Sequence, residues 1–555
     1  MSIEIPNNPM NPQKLLAAID MGSNSFKLFI IRALPNGRFV TVDRLKDPVL
    51  LSRSLISTSP SPSPSQTLLP LHSQTRALAS LRHFSLIIRH HCISSPPTVV
   101  ATSALRSASN RQDLLSRIHE ELGFHVNVIS GEEEARLIYL GVLQFLPVFS
   151  KTTLAVDIGG GSTEFVIGKQ GQVIFATSLQ LGHVSLTESF IKDGEIVNMR
   201  NHIRRVIIES GLVEKVKEIG FDIAVGCSGT IRSIERSVFL GFGNERSARV
   251  GFGEDFGRGW RFSREELGVI VERLLCGEEV RRVGFSKRRA EFIVAGAVLL
   301  LEIFDALGIG EMEVSEYALG EGVIAEMLAR DCESFDVNAN ARWRSVVRVA
   351  SRFNDEKRMK SNLQCAGIAK EIFEGLRRCE EFIDHHNNSM VSLDDKDLEY
   401  LEAAILLHSV GLVMGKKGYH KQSYHIIKNR DHLYGYNDEE VELIALLARY
   451  HRKKFPTCEH HPLQSFTKEK FRVLCVIMRI CLALHKSQWM TFQGLEISHS
   501  HEGFRLVLTE LKDQSLLSTS AELMSSNIEA ELGLELKHFK QVFQQRLSII
   551  IPSNT

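Results

Sequence analysis

"TLAVDIGGGSTEFVIG", residues 153–168, sets an aspartate, three consecutive glycines and a glutamate between two short apolar runs. The chain also carries "LAAIDMGSNSFKLFII" at residues 16–31, and an offset of 137 positions superimposes Asp20, Gly22 and Ser25 on Asp157, Gly159 and Ser162. Glycines that follow a strand let backbone N–H groups approach an anion closely. In Walker loops and dinucleotide fingerprints the glycines open a helix. Here "FKLFII" and "EFVIG" read as returning strands, and neither copy contains GK[ST]. The pattern predicts two phosphate-facing β-hairpins, one in each of two related lobes that close over a phosphoryl group. Two ordinary turns would need neither the repeated Asp nor the repeated Ser.

At 555 residues the chain exceeds a single core, and usual domain sizes imply about three to four domains. The 66 basic and 66 acidic residues balance, so a bulk attraction to nucleic acid or to an anionic membrane is not expected, and an anionic ligand must be held locally. Nine cysteines, an odd number without a CxxC pair, argue against a disulfide framework and a zinc ribbon. The opening "MSIEIPNNPMNPQ" has no targeting pattern, and no apolar run reaches bilayer length. A cytoplasmic protein in a reducing compartment is the expectation.

Strand-like runs such as "LAAID", "KLFIIRAL", "PTVVATSA", "TLAVDIG" and "IAVGCSG" alternate with amphipathic helical stretches up to about residue 330. "STSPSPSPS" at 57–65 reads as a disordered surface loop within the first lobe. Beyond 335, "LEYLEAAILLHSVGLV", "EEVELIALLARYHRKK" and "FRVLCVIMRICLALH" carry helical periodicity. A final strip from "LEISHSHEGFRLVLTE" to "RLSIII" suggests a small α+β module. The expected boundaries are lobe I at 14–148, lobe II at 149–330, a helical domain at 335–485 and the terminal module at 486–551.

Several residues beside the hairpins have two readings. Asp157 and Glu164 flank the second loop as natural Mg²⁺ ligands, or else they only stabilise the turn. In "ISGEEEARLIYLG", Ser130 and Glu133 have capping-box spacing, and the helix dipole alone favours Glu132, Glu133 and Glu134. A carboxylate there could equally take a proton from an attacking water. Arg106 in "VVATSALRSASNR" is placed either to fork onto phosphate oxygens or to remain a surface cation. In "VGCSGTIRS", Gly229 and Thr230 suit polar ligand contact, and Cys227 reads as a small buried thiol. The basic clusters "GKKGYHK" (415–421) and "YHRKKF" (450–455) are either guides for a polyanion or a solvated face; "RRVGFSKRR" (281–289) reads as a solvated helical face.

Together these motifs, in this order and spacing, resemble the exopolyphosphatase and guanosine pentaphosphate phosphohydrolase (Ppx/GppA) family. The resemblance implies a two-lobed α/β actin-like (ribonuclease H-like) core, then an all-α HD-like domain and a small α+β C-terminal module. By that resemblance Glu134 matches the general base, Asp157 and Glu164 match metal-associated carboxylates, and Asp20 joins them as a metal candidate. Arg106 matches a phosphate-contacting arginine, and Gly22, Ser23, Asn24, Gly160, Gly161 and Ser162 match the phosphate loops; Ser25, Gly159, Gly229 and Thr230 are added as candidate phosphate contacts. The implied chemistry is Mg²⁺-assisted attack of water on a terminal phosphoryl group. The expected partner is inorganic polyphosphate or, alternatively, a phosphorylated guanosine nucleotide, and a homodimer is a family expectation. The HD-like region departs from the metal-binding pattern, with His408 followed by Ser409 and Ser361 where a first histidine would fall. No second metal site is expected, and His408, His420, His425 and His451 read as structural or surface residues.

Overall fold

In β1 (Leu15–Met21) and β6 (Thr153–Ile158), nearly every side chain is buried on both faces, as continuous apolar runs dictate for central strands. This computed structural model describes residues 15–34, 37–51, 56–57, 67–243, 261–278, 283–286, 289–333, 335–380, 391–428, 433–456, 468–486, 492–500, 502–510, 530 and 532–550. Residues 58–66 of the Ser/Pro stretch lie outside the described residues. The chain divides into two compact units, one ending at Ala341 and one starting at Arg342.

The first unit holds two sheets. In one, β1, β2 (Ser25–Ala33) and β3 (Phe39–Pro48) form an antiparallel meander, and β4 (Thr98–Ala101) and β5 (Val126–Val128) extend it in parallel from β1, giving the order β3-β2-β1-β4-β5. In the other, β6, β7 (Thr163–Lys169) and β8 (Gln172–Leu179) repeat the meander. Parallel β9 (Ile223–Gly226) and β11 (Glu311–Val314) follow, with β10 (Arg261–Ser263) on the edge: β8-β7-β6-β9-β11-β10. The duplication seen in the loop motif is thus a duplication of sheet order. The apolar runs after each glycine loop are returning strands.

Helix α1 (Leu71–His90) buries Leu78, Leu81 and Phe84 in the core behind the first sheet. Helices α2 (Ser103–Ser107) and α3 (Arg111–Leu122) follow β4. Helix α4 (Gly131–Phe145) leads into β6, and its Ser130 cap accepts from the Glu133 N–H at 3.1 Å. In the second lobe, α5 (Ile196–Glu209), α6 (Gly229–Phe239), α7 (Arg264–Leu275) and α8 (Ile293–Leu307) contribute to one core. "CSGT" is the start of α6 rather than a free turn, since Ser228 caps it by accepting from the Ile231 N–H at 3.2 Å.

Helix α9 (Leu319–Asp331) crosses α4 at very close range. A Cβ on Gly141 would stand 2.0 Å from the Ala318 carbonyl oxygen, and one on Gly322 would stand 1.8 Å from that of Leu137. Gly320 lies equally close to the Phe29 ring of β2, so this helix, though late in chain order, packs on the first sheet.

The second unit is mainly helical. Its α10 (Ala339–Phe353, crossing the unit boundary), α11 (Glu356–Glu380), α12 (Asp395–Leu407), α13 (Tyr419–Lys428), α14 (Asp438–Tyr450) and α15 (Lys468–Lys486) precede a three-stranded sheet. That sheet runs β12 (Phe492–Ser500), β13 (Gly503–Glu510), β14 (Leu547–Ile550), with α16 (Gly533–Phe543) before the last strand. Ile497, Phe504 and Leu506 of the sheet share one core with Leu401, Leu447 and Ile477 of the helices. No single described helix is long and apolar enough to cross a membrane.

Gly322→Ala is expected to lower unfolding free energy by about 2 kcal/mol or more, because rigid backbone, not a flexible side chain, opposes the new methyl. Gly268→Ala in α7, where nothing lies within 4 Å of the new Cβ, is expected to stabilise by about 0.5–1 kcal/mol. Denaturant unfolding of both variants checks the pair.

Candidate active site

The two hairpin loops are built under one constraint. A Cβ on Gly22 would meet the Ser25 carbonyl oxygen at 3.0 Å, and one on Gly159 would meet that of Ser162 at the same distance. The second loop closes with the Gly159 N–H donating to the Ser162 carbonyl at 2.9 Å. Behind it, the His183 N–H donates to Gly159 and the Val184 N–H to Gly160, which fixes the loop carbonyls away from its front. Among the described residues, the Gly160 and Gly161 N–H groups have no acceptor. Unpaired N–H groups of successive residues form an anion-binding concavity. The loops converge: a Cβ on Gly161 would lie 3.0 Å from Ser103 Oγ and 3.8 Å from Ser23 Oγ, and Ser23 Oγ accepts from the Ala104 N–H.

Just inside each loop, the strand register pairs the candidate side chains. Asp20 faces Lys27 across β1 and β2, with Lys27 Nζ donating to Asp20 Oδ2 at 2.8 Å. Asp157 faces Glu164 across β6 and β7. Among the described residues, Asp20 Oδ1 is buried without a hydrogen-bond partner. Burial opposes the Lys27 charge, but Asp20 and then Asp157 more than offset it, so its pKa lies above the ordinary value. Burial pushes Asp157 up to about 6 against the attraction of Lys27 and Arg232. Glu164 is pushed up to about 7 by burial first, although Oε1 accepts from Ser162 at 2.6 Å and Ser178 at 2.8 Å.

The three glutamates opening α4 are separated by the helix itself. Glu133 turns outward to Arg136, which also binds Glu326. Glu134 turns inward, is buried, and accepts from Arg106 Nη1 at 3.0 Å. Burial raises its pKa well above the carboxylate range, Glu164 adds to the rise and Arg106 opposes it. Arg106 Nη1 also donates to the Ile129 carbonyl, whereas Nη2 is buried and has no acceptor among the described residues. That nitrogen is the donor left over for a ligand.

The structure therefore brings Asp20, Gly22, Ser23, Ser25, Arg106, Glu134, Asp157, Gly159–Ser162 and Glu164 to one cleft between the lobes. Asn24 is committed through its carbonyl, which accepts from the Leu50 N–H at 3.0 Å. Thr230 is buried with its methyl against Gly296, and Gly229 lies against the Arg289 guanidinium. Cys227 is buried, and burial raises its thiol pKa well above the ordinary value.

Lys27, Lys46, Arg232, Arg289 and His183 also belong to this neighbourhood. Lys27 had a signal in the sequence, since the 137-residue offset places it on Glu164. Arg289 belongs to the basic stretch assigned to a solvated helical face; it instead precedes α8 and turns toward Gly229. His183 is buried, and burial followed by Arg289 draws its pKa down to about 4 against the opposing effect of the Gly159 and Ile158 backbone.

Twin glycine hairpins facing each other across a cleft, with an arginine and buried carboxylates behind them, define a two-lobed α/β phosphatase. The chain belongs to the Ppx/GppA phosphatase family: residues 33–331 match that description, and residues 341–532 match domain III of the same phosphatases. Its two-lobed core is the actin-like fold of that family, whose members hydrolyse phosphoric anhydrides. The chain is 30% identical over 454 residues to a guanosine-5'-triphosphate,3'-diphosphate pyrophosphatase of Pseudoalteromonas translucida, covering 80% of this chain and 82% of that protein. A Vibrio atlanticus protein of the same name is 28% identical, covering 94% of this chain and 97% of its own. An exopolyphosphatase from Cytophaga hutchinsonii is similar in structure at 27% identity and a TM-score of 0.48, covering 58% of this chain and 100% of that one.

The raised carboxylates give a pH signature in the metal-free, ligand-free protein. Asp157 ordinarily titrates near 3.8 and in the fold near 6, so between those values the folded state holds more protons than the unfolded one. Stability must therefore fall as pH rises through that window. Asp157→Asn, which removes the charge, is expected to raise the melting temperature at pH 8 by several degrees and to change it little near pH 4. Thermal melts across pH with EDTA check this.

Proposed function

We propose that this chain is a Mg²⁺-dependent exopolyphosphatase, removing the terminal phosphate of inorganic polyphosphate as orthophosphate. The observation that carries the reading is Glu134, a buried carboxylate beside two phosphate-type loops and held by an arginine with one unused donor. The Gly160 and Gly161 N–H groups and Arg106 Nη2 bind oxygens of the terminal phosphoryl group. Ser23 and Ser25 face the group from the first loop, and Ser162 from the second. Glu134 accepts the proton of the attacking water, and Arg106 keeps its carboxylate oriented. Catalysis by positioning and charge stabilisation is the expected mode for phosphoryl transfer.

The donor set fits Mg²⁺, which typically takes one or two carboxylates and completes its shell with water and substrate phosphates. Among the described residues no group of three or more His, Cys, Asp or Glu side chains is placed to hold a metal ion, so the shell would rest on two carboxylates. Asp157 and the unpartnered Asp20 Oδ1 would hold the ion, with Glu164 orienting the loop through Ser162. When bound, Mg²⁺ neutralises phosphate oxygens and lowers the cost of gathering these carboxylates.

A second reading, hydrolysis of guanosine pentaphosphate, is favoured by the names of the relatives that match along nearly the whole chain. The polyphosphate reading is supported by Lys27, Lys46, Arg232 and Arg289 near the cleft, while Phe292 beside His183 is buried and not open to stack on a base. We further propose that the helical unit is an HD-type domain without its metal. Ser409 Oγ donates to Asn354 and accepts from Asn362, Ser361 neighbours His485, and His408 stacks edge-on against His451 at 4.9 Å.

Orthophosphate release with Mg²⁺ from long polyphosphate, guanosine pentaphosphate and ATP tests the assignment. Polyphosphate is expected to be the fastest substrate, and Glu134→Gln is expected to lower kcat by about 10²–10⁴-fold. Faster release from guanosine pentaphosphate would transfer the assignment to the second reading. No release from any of the three would overturn the hydrolase.

A further inference from the structure

Lys46 of β3 faces Lys27 of β2, which in turn faces Asp20 of β1. Residues opposite one another in adjacent strands project from the same side of a sheet. The three therefore form one row across the sheet, leading outward from the hairpin: Asp20 buried, Lys27 partly buried, Lys46 exposed. Its inner members are already committed, since Lys27 is bonded to Asp20. Lys46 is not. Among the described residues it makes no ion pair, and neither does the Arg289 guanidinium.

The surroundings of Lys46 are cationic. Although its side chain is exposed, desolvation of the ammonium, followed by Lys27, Arg289 and Arg232, brings its pKa down to about 8, with only Asp20 opposing. Arg289 and Arg232 belong to the second lobe, so cations of both lobes come near one another, and among the described residues neither Lys46 nor Arg289 has an ion-pair partner. Like charges gathered in this way repel, and a bound anion between them relieves the repulsion. The transferred phosphoryl group is not that anion, because the loop N–H groups and Arg106 hold it deeper, beside Glu134.

We propose that Lys46 binds the phosphate next in line, the leaving-group phosphate of a phosphate chain, and so makes the site select chains over single phosphates. The identity of that phosphate rests on the hydrolase reading; the binding of a second phosphate does not. A lysine suits this task because its ammonium is a compact point charge on a flexible stem, able to follow a chain that has no fixed planar face. Lys46 is a specificity residue here, distinct from Glu134, which reacts with the attacking water.

The test is binding of orthophosphate, pyrophosphate and tripolyphosphate, with Mg²⁺ present, to Lys46→Met and Lys46→Arg in a Glu134→Gln background that holds turnover down. Lys46→Met is expected to leave the orthophosphate Kd unchanged and to weaken pyrophosphate and tripolyphosphate about tenfold. Lys46→Arg is expected to restore most of that loss. The ligand-free Met variant is expected to melt no lower than its parent, since it removes a repelled charge. Equal weakening for all three anions would overturn the proposal by making Lys46 part of the general field, and unchanged binding of all three would overturn it outright. Turnover by the wild-type chain, measured in parallel, separates the two ideas: absent hydrolysis with a retained difference between orthophosphate and pyrophosphate would sink the enzyme reading alone.

Discussion

Four carboxylates, Asp20, Glu134, Asp157 and Glu164, are gathered in one desolvated cleft, and much of the local architecture answers that constraint. An isolated buried carboxylate is costly unless it is paired, hydrogen-bonded or protonated. Each of the four meets a different compensation. Asp20 takes Lys27, Glu134 takes Arg106, and Glu164 takes two serine hydroxyls. Asp157 has only the pull of Lys27 and Arg232, and burial outweighs it, pushing the carboxyl up to about 6. The surplus of negative charge is what a divalent cation would remove, and the unpaired cations nearby are what a phosphate chain would satisfy.

The framework that holds this charge is equally constrained. Glu134 sits at the start of α4, and α4 is locked against α9 by glycine-to-carbonyl contacts that leave no room for a methyl group. Gly131 at the same helix start lies against Ser178, whose hydroxyl binds Glu164. One end of one helix thus joins the proposed base to the carboxylate of the other lobe. Backbone contact of this kind transmits little slack, which suits a site whose chemistry depends on position.

Much of this was legible in the sequence because it was local. A strand, a glycine turn and a returning strand follow from periodicity within a dozen residues, and the 137-residue offset made the duplication explicit. The capping spacing of Ser130 and Glu133 likewise forecast the start of α4. What composition left open among Glu132, Glu133 and Glu134 needed the helix: successive residues turn by about 100°, so only one of them can face the cleft. Lys46 and Arg289 were beyond reach for a different reason. Their significance lies in having no carboxylate partner among the described residues, and only the folded arrangement reveals which side chains are near enough to pair. Arg289, read as part of a basic surface run, shows how charge density along the chain misleads when one member turns inward.

The duplication also shows where the two lobes differ in charge. Both hairpins have an aspartate on the first strand and a small-residue loop, and they differ at the partner position on the second strand, where lobe I has Lys27 and lobe II has Glu164. In lobe I the pair is nearly neutral, leaving one Asp20 oxygen unsatisfied; in lobe II the pair is doubly acidic unless a proton is retained. On the proposed function, a cation would be drawn toward lobe II, with Asp20 as a further ligand, while the lysine side of lobe I would offer the electropositive wall along which phosphates lie. A single residue type at one rung of a repeated hairpin is enough to break the symmetry of the two copies. On the proposed function, it would turn two like anion cradles into a metal-attracting half and a chain-guiding half, with the chemistry placed where the lobes meet.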